Sequence, residues 1–225
     1  MLDVLEFMLP DQVWALSHHL EAPAHPIFCK LVKNQIWYMK GKNGFPWDMN
    51  TFDDQFIYQS ITERDWDNPD HFKIFASTSW PGANGGIVWS PRDAEAIGHG
   101  GPWVTPDSTY RLYSGCDNFT EQDLQPVSVT LEGPYEYDFG GDLGWMPCLV
   151  QRYFWTEKQT ADRMELNRYI RKFGWAQWEL WHLQGNRYEQ KQISAFNHIA
   201  DGGSPDPLFP CGVPEINGKK GPRRT

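Results

Sequence analysis

WAQWELWHLQGNRYEQKQISAF, residues 175–196, is the stretch that sets the class of fold. Two runs carrying aromatic and apolar residues flank Gly185-Asn186, a pair suited to the positive backbone angles of a tight hairpin turn. One strand is therefore expected over Trp175 to Leu183 and a returning one over Arg187 to Phe196. In a strand, successive side chains point to opposite faces. Trp175, Gln177, Glu179 and Trp181 are expected on one face, and Ala176, Trp178, Leu180 and His182 on the other, which reads as core.

Working outward, Met164 to Phe173 reads as strand continuing past Gly174 into Trp175, preceded by strands at Cys148 to Trp155 and Val127 to Glu132. Earlier strands are expected at Ile36 to Lys40 and Phe56 to Glu63, with FPWDMNTFDD (45–54) as the loop between them. Gly- and Pro-rich sequence from Trp80 to Ser108 reads as long loops around one strand at Ile87 to Trp89. DQVWALSHHLEA (11–22), bounded by Pro10 and Pro23, reads as a short helix. No internal repeat is present, which removes the main signature of propellers and solenoids. The expected fold is mainly β: a single-domain β-sandwich or jelly roll over residues 1–215, or alternatively a partly closed antiparallel barrel, with a short N-terminal helix. The basic stretch GKKGPRRT ending the chain reads as a disordered tail over 216–225.

Composition narrows the function classes. A net charge of −9 argues against a phosphate-backbone partner, because nucleic-acid binding depends on clustered Lys and Arg. A mean hydropathy of −0.60 and the absence of a long uncharged apolar run argue against a membrane span. Residues Met1 to Leu9 carry Asp3 and Glu6 and no basic residue, so they are not an intact signal peptide, and an exported form would have lost its leader. The even cysteine number (Cys29, Cys116, Cys148, Cys211) and the sequon Asn118-Phe119-Thr120 suit a secreted or periplasmic protein with one or two disulfides. The cysteines form no C-x-x-C pair and the seven histidines no H-E-x-x-H motif, so no zinc site is expected.

What remains is an unusual concentration of aromatics and carboxylates. If Leu149, Gln151, Tyr153 and Trp155 face the same way as Trp175 and Trp181, the sheet presents indole platforms among hydrogen-bonding groups, the make-up of a sugar cleft. Trp155, Trp175, Trp181, Tyr153, Gln177 and Arg152 are the expected substrate-binding residues. Arg152 and Arg168 read structurally as partners of Glu132, Glu165 or Glu179, and functionally as a fork for an acidic sugar. In EGPYEYDFGGDLG (132–144), Glu136 and Asp138 are two apart and share a face if extended. With Glu179 they are the expected acid, base or nucleophile, since glycoside cleavage uses two carboxyls about 5 to 10 Å apart; the same oxygens would also suit Ca²⁺. Asp48, in a second acidic group with Asp53 and Asp54, reads as a turn former. His99 and His198, beside glycine loops, are the better-placed histidines, each first read as making a single hydrogen bond.

The expected function is an exported carbohydrate-active protein, leaning to a glycoside hydrolase or lyase, that binds and cleaves a polysaccharide or oligosaccharide. Three alternatives stand beside it: a non-catalytic carbohydrate-binding module, a lyase or isomerase for a small aromatic molecule in a closed barrel pocket, and a protein-interaction surface. Replacing Glu179 with Gln separates catalysis from folding in the first.

Overall fold

The computed structural model describes residues 2–9, 14–18, 26–32, 35–41, 45–63, 72–77, 87–93, 103–104, 108–113, 119–124, 127–155 and 161–200. The tail 216–225, Cys116, Cys211, Asn118 of the sequon and His99 lie outside the described residues. The elements, in order, are α1 (Leu5–Met8), β1 (Trp14–Ser17), β2 (Ile27–Val32), β3 (Gln35–Lys40), β4 (Phe45–Phe52), β5 (Phe56–Glu63), β6 (Phe72–Ser77), β7 (Ile87–Pro91) and β8 (Trp103–Val104). They continue with β9 (Ser108–Tyr113), β10 (Phe119–Leu124), β11 (Val127–Asp138), β12 (Trp145–Trp155), β13 (Arg163–Ile170), β14 (Gly174–Gln184), β15 (Arg187–Ala195) and β16 (His198–Ile199).

These strands form two antiparallel sheets rather than a closed barrel. One runs β10-β9-β6-β5-β4-β3-β2-β1-β16, with β7 also paired to β5; the other runs β15-β14-β13-β12-β11-β8. The alternating pattern of the C-terminal half produces a meander in which β11 to β15 each pair with the next. Leu149, Gln151 and Tyr153 of β12 lie opposite Tyr169, Asn167 and Glu165 of β13, and this face meets the other sheet. Trp89 of β7 packs edge-on to Tyr153 with ring centroids 4.8 Å apart, and its indole donates to the Tyr169 hydroxyl at 3.1 Å. Ile36, Tyr38, Cys29 and Ile57 join Val129, Leu131, Leu149 and Tyr169 in the same buried cluster between the sheets. Burying apolar area of this kind is the main favourable contribution to folding, at about 25 cal/mol per Å².

Several local expectations are overturned by tertiary contacts. The segment read as a helix from Asp11 holds strand β1 instead, because Trp14, Ala15 and Leu16 pair with Cys29, Phe28 and Ile27. The short helix lies earlier, at Leu5–Met8, where Leu5, Phe7 and Met8 are buried. FPWDMNTFDD is strand β4 through Phe52; only Asp53 and Asp54 turn the chain. Pro46 is tolerated there at a register shift between Tyr38 and Met39 of β3. The strand expected to run through Gly174 is a hairpin, closed by Arg171, Lys172 and Phe173, with Gly174 at φ +88°. A Cβ at Gly174 would stand 3.2 Å from the Cys29 sulfur, so this turn accepts glycine for both reasons. Cys29 and Cys148 are buried free thiols, so neither enters the expected disulfides. The Gly185-Asn186 hairpin and the strand at Phe56–Glu63 are as expected.

Candidate functional site

The two faces of the six-stranded sheet divide the expected binding residues. At the pairing of β13 with β14, Arg168 opposes Gln177 but Tyr169 opposes Trp175, leaving Ala176 as an extra residue in β14. Such a bulge reverses the side-chain alternation. Trp175 therefore leaves the face of Gln177, Glu179 and Trp181 and points between the sheets, where its indole donates to Asn167 at 2.9 Å and packs on Phe196. Tyr153 lies between the sheets as well, whereas Arg152, Gln177 and Trp181 are on the outer face. Trp155 is on β12, and its side chain lies outside the description. The six residues do not line one cleft.

On the outer face Glu179 is engaged from several sides. Arg168 forms an ion pair with it, Gln177 donates to one carboxylate oxygen at 2.5 Å and Trp181 to the other at 2.8 Å. Only 4% of Glu179 is exposed, which leaves little of the carboxylate for a substrate. Arg168 also lies over the Tyr137 ring, 4.3 Å from its centroid. Arg152 pairs with Glu132 at 2.5 Å. Both arginines thus make ion pairs between neighbouring strands. Glu136 and Asp138 are exposed near the end of β11, away from Glu179, and Asp142 binds His198 at 3.2 Å and the Ile199 N–H at 3.0 Å. Among the described residues, no three His, Cys, Asp or Glu side chains are grouped as metal ligands would be.

Between the sheets, carboxyls from opposite layers lie close enough for the charge of one to act on the other. Asp48 of β4 does not turn the chain; it is half-buried in mid-strand, and the Gln59 amide donates to both its oxygens at 3.1 Å. Loss of water around it pushes its carboxyl up to about 7, against the hydrogen bonds from Gln59 and the Met49 backbone. The charge of Glu165, on β13 of the facing sheet, pushes the same way. Glu165 is itself half-buried, accepts a hydrogen bond from the Trp178 indole at 2.8 Å, and sits on the sheet between Tyr153 and Leu180. Beside Asp48, Asn50 is 1% exposed and its Oδ1 has no hydrogen-bond partner. A buried acceptor without a partner is uncommon in a folded protein. Trp178, Leu180 and His182 are all half-buried, so this row of β14 is partly open to solvent.

No known protein family, curated protein or solved structure matches the chain. The site is therefore read from its own geometry. Asp53 has the turn-forming role expected of Asp48. Its Oδ1 accepts from the N–H groups of Gln55 and Phe56 at 2.8 and 2.9 Å, and its other oxygen from the Tyr58 hydroxyl at 2.5 Å. Burial alone would raise that carboxyl, but these hydrogen bonds and Arg92 outweigh it and hold Asp53 below its ordinary value. Glu165 carried a sequence signal only as a partner for arginine. It does pair with an arginine, Arg163 at 3.8 Å, while its influence on Asp48 depends on the stacking of two sheets, which no local pattern encodes.

Proposed function

We propose that the protein is an exported carbohydrate-active protein that binds a polysaccharide or oligosaccharide in the gap between its sheets and cleaves it with Asp48 and Glu165. The observation that supports this reading is a half-buried carboxyl, Asp48, raised to about 7 by burial, with the charge of Glu165 from the facing sheet acting on it. Glycoside cleavage needs that asymmetry: one carboxyl gives a proton to the leaving oxygen while a second acts on the sugar or on water. Asp48 is the proton donor, oriented by Gln59, and Glu165 is its partner, oriented by Trp178. The indole of Trp178 and the ring of His182, both half-buried, supply walls for the apolar faces of a sugar.

The test is a panel of polysaccharides and oligosaccharides, with products read by mass spectrometry and binding by Trp fluorescence. Asp48→Asn and Glu165→Gln are each expected to remove at least about 99% of product formation while leaving fluorescence quenching in place, the usual scale for loss of a general acid. Glu179→Gln is expected to leave turnover at the wild-type level in the folded fraction. Full turnover by Asp48→Asn would refute the assignment, and quenching without product from any glycan would make the protein a binding module instead.

A further inference from the structure

The end of the β11–β12 hairpin carries a second constellation, separate from the gap between the sheets. Beyond the irregularity between Glu132 and Tyr135 the two strands pair without interruption, Glu136 opposite Pro147 and Asp138 opposite Trp145. Directly opposed residues share a face, and so do residues two apart in one strand. Glu136, Asp138, Trp145 and Pro147 therefore form one patch on a two-stranded ribbon. Trp145 is 68% exposed, the most exposed large apolar side chain among the described residues, and Glu136 and Asp138 are exposed beside it. An indole held in water on a regular strand contributes little to stability, and beside two carboxylates it offers a face that a cation can meet. Asp138 is fixed by accepting from the Gly140 N–H at 2.9 Å through Oδ1.

The geometry points to a binding platform for a cationic sugar, of the glucosamine-polymer class: the pyranose face stacks on Trp145 and its ammonium groups pair with Glu136 and Asp138. Charge complementarity selects this ligand over a neutral glycan. The electron-rich face of an indole attracts both sugar C–H groups and cations. Two carboxylates lie within about 5 to 7 Å of it, measured between Cβ positions. An acidic glycan would meet the same carboxylates as repulsion, on a chain whose net charge is already −9. The inference takes its ligand class from the carbohydrate reading but does not depend on Asp48 or Glu165.

Binding of soluble, fully deacetylated chitosan oligosaccharides to the whole chain tests it, by calorimetry at a pH where the amines are protonated. N-acetylated and cello-oligosaccharides of equal length serve as neutral comparators. Trp145→Ala is expected to weaken the cationic ligand about tenfold. Asp138→Asn, which keeps the Gly140 hydrogen bond, and Glu136→Gln are expected to erase the preference over the neutral ligands. Added salt is expected to weaken only the cationic ligand. Equal binding by wild type and Trp145→Ala, or equal affinity of the wild type for charged and neutral oligosaccharides, would overturn the proposal. Product formation measured on the same variants separates the two sites: if no glycan is cleaved yet Trp145-dependent binding persists, the cleft reading fails and the platform stands.

Discussion

Asp48 shows how burial and hydrogen bonding set the behaviour of one carboxyl. Its ordinary value of 3.8 rises to about 7 in the folded chain, so the native state holds a proton that the unfolded state has already released. Between those two values unfolding sheds a proton, and stability falls as pH rises, by up to about 1.4 kcal/mol per pH unit. Below the lower value the contribution is fully present. Urea midpoints measured across this range are expected to decline toward neutral pH in the wild type and to be flatter in Asp48→Asn, which cannot ionise. A wild-type profile as flat as that of the variant would contradict the buried carboxyl. If Asp48 is the proton donor, product formation falls as pH passes upward through about 7. On the outer face, Arg168→Ala strands Glu179 without its cation. It is expected to cost about 3–5 kcal/mol, read as a lower denaturation midpoint, because a buried charge loses its partner.

At the scale of elements, the β13–β14 hairpin joins both sheets to the N-terminal helix. Gly174 lies at φ +88°, and a Cβ there would meet the Cys29 sulfur of β2 at 3.2 Å and the Met8 carbonyl of α1 at 3.5 Å. Gly185, in the next hairpin, has φ +60° but open space around it. Both glycine-to-alanine changes bear the backbone strain of a positive φ, on the order of 1 kcal/mol. Only Gly174→Ala adds the close approach. Thermal unfolding is therefore expected to show a larger loss for Gly174→Ala than for Gly185→Ala; an equal loss would mean that the α1 and β2 contacts yield freely. The bulge at Ala176 works at the same scale. A single extra residue moves Trp175 from the outer face to the interior and so decides which indole is free to meet a ligand.

Across the whole molecule, the chain leaves the six-stranded sheet after β15 and enters the other one as β16, beside β1. Asn197 secures this crossing: its N–H donates to the Ser17 carbonyl at 3.1 Å, its carbonyl accepts from Asp142 at 2.9 Å, and its amide donates to the Phe139 carbonyl at 3.1 Å. Cys29, enclosed between the sheets, and Cys148, buried on the face that carries Arg168, are shielded from reagents, and burial pushes the Cys29 thiol well up and that of Cys148 to about 11. The thiolate is the reactive form. In a Cys116→Ser/Cys211→Ser variant, both remaining thiols are expected to react with a chromogenic disulfide on the timescale of protein opening, and orders of magnitude faster in denaturant. Immediate reaction in native buffer would show that their packing does not shield them.

Alternation and turn residues determined the β class, the Gly185-Asn186 hairpin, and strands such as Phe56–Glu63, because those signals are carried by residues close in sequence. They also identified Arg152 and Arg168 as partners for carboxylates, which on adjacent strands they are. Local pattern failed where distant pairing prevailed. Trp14–Ser17 is strand because β2 lies beside it, and Phe45–Phe52 is strand between β3 and β5 despite Pro46. The carboxyls named from spacing lie apart: Glu136 and Asp138 at the tip of a ribbon, and Glu179 under an arginine. The charge of Glu165 acts on Asp48 although 116 residues separate them in the chain (165 − 48 − 1). Their proximity and the proton held by Asp48 follow from stacking one sheet on another, which brings side chains together and excludes water. Spacing along a single strand does neither.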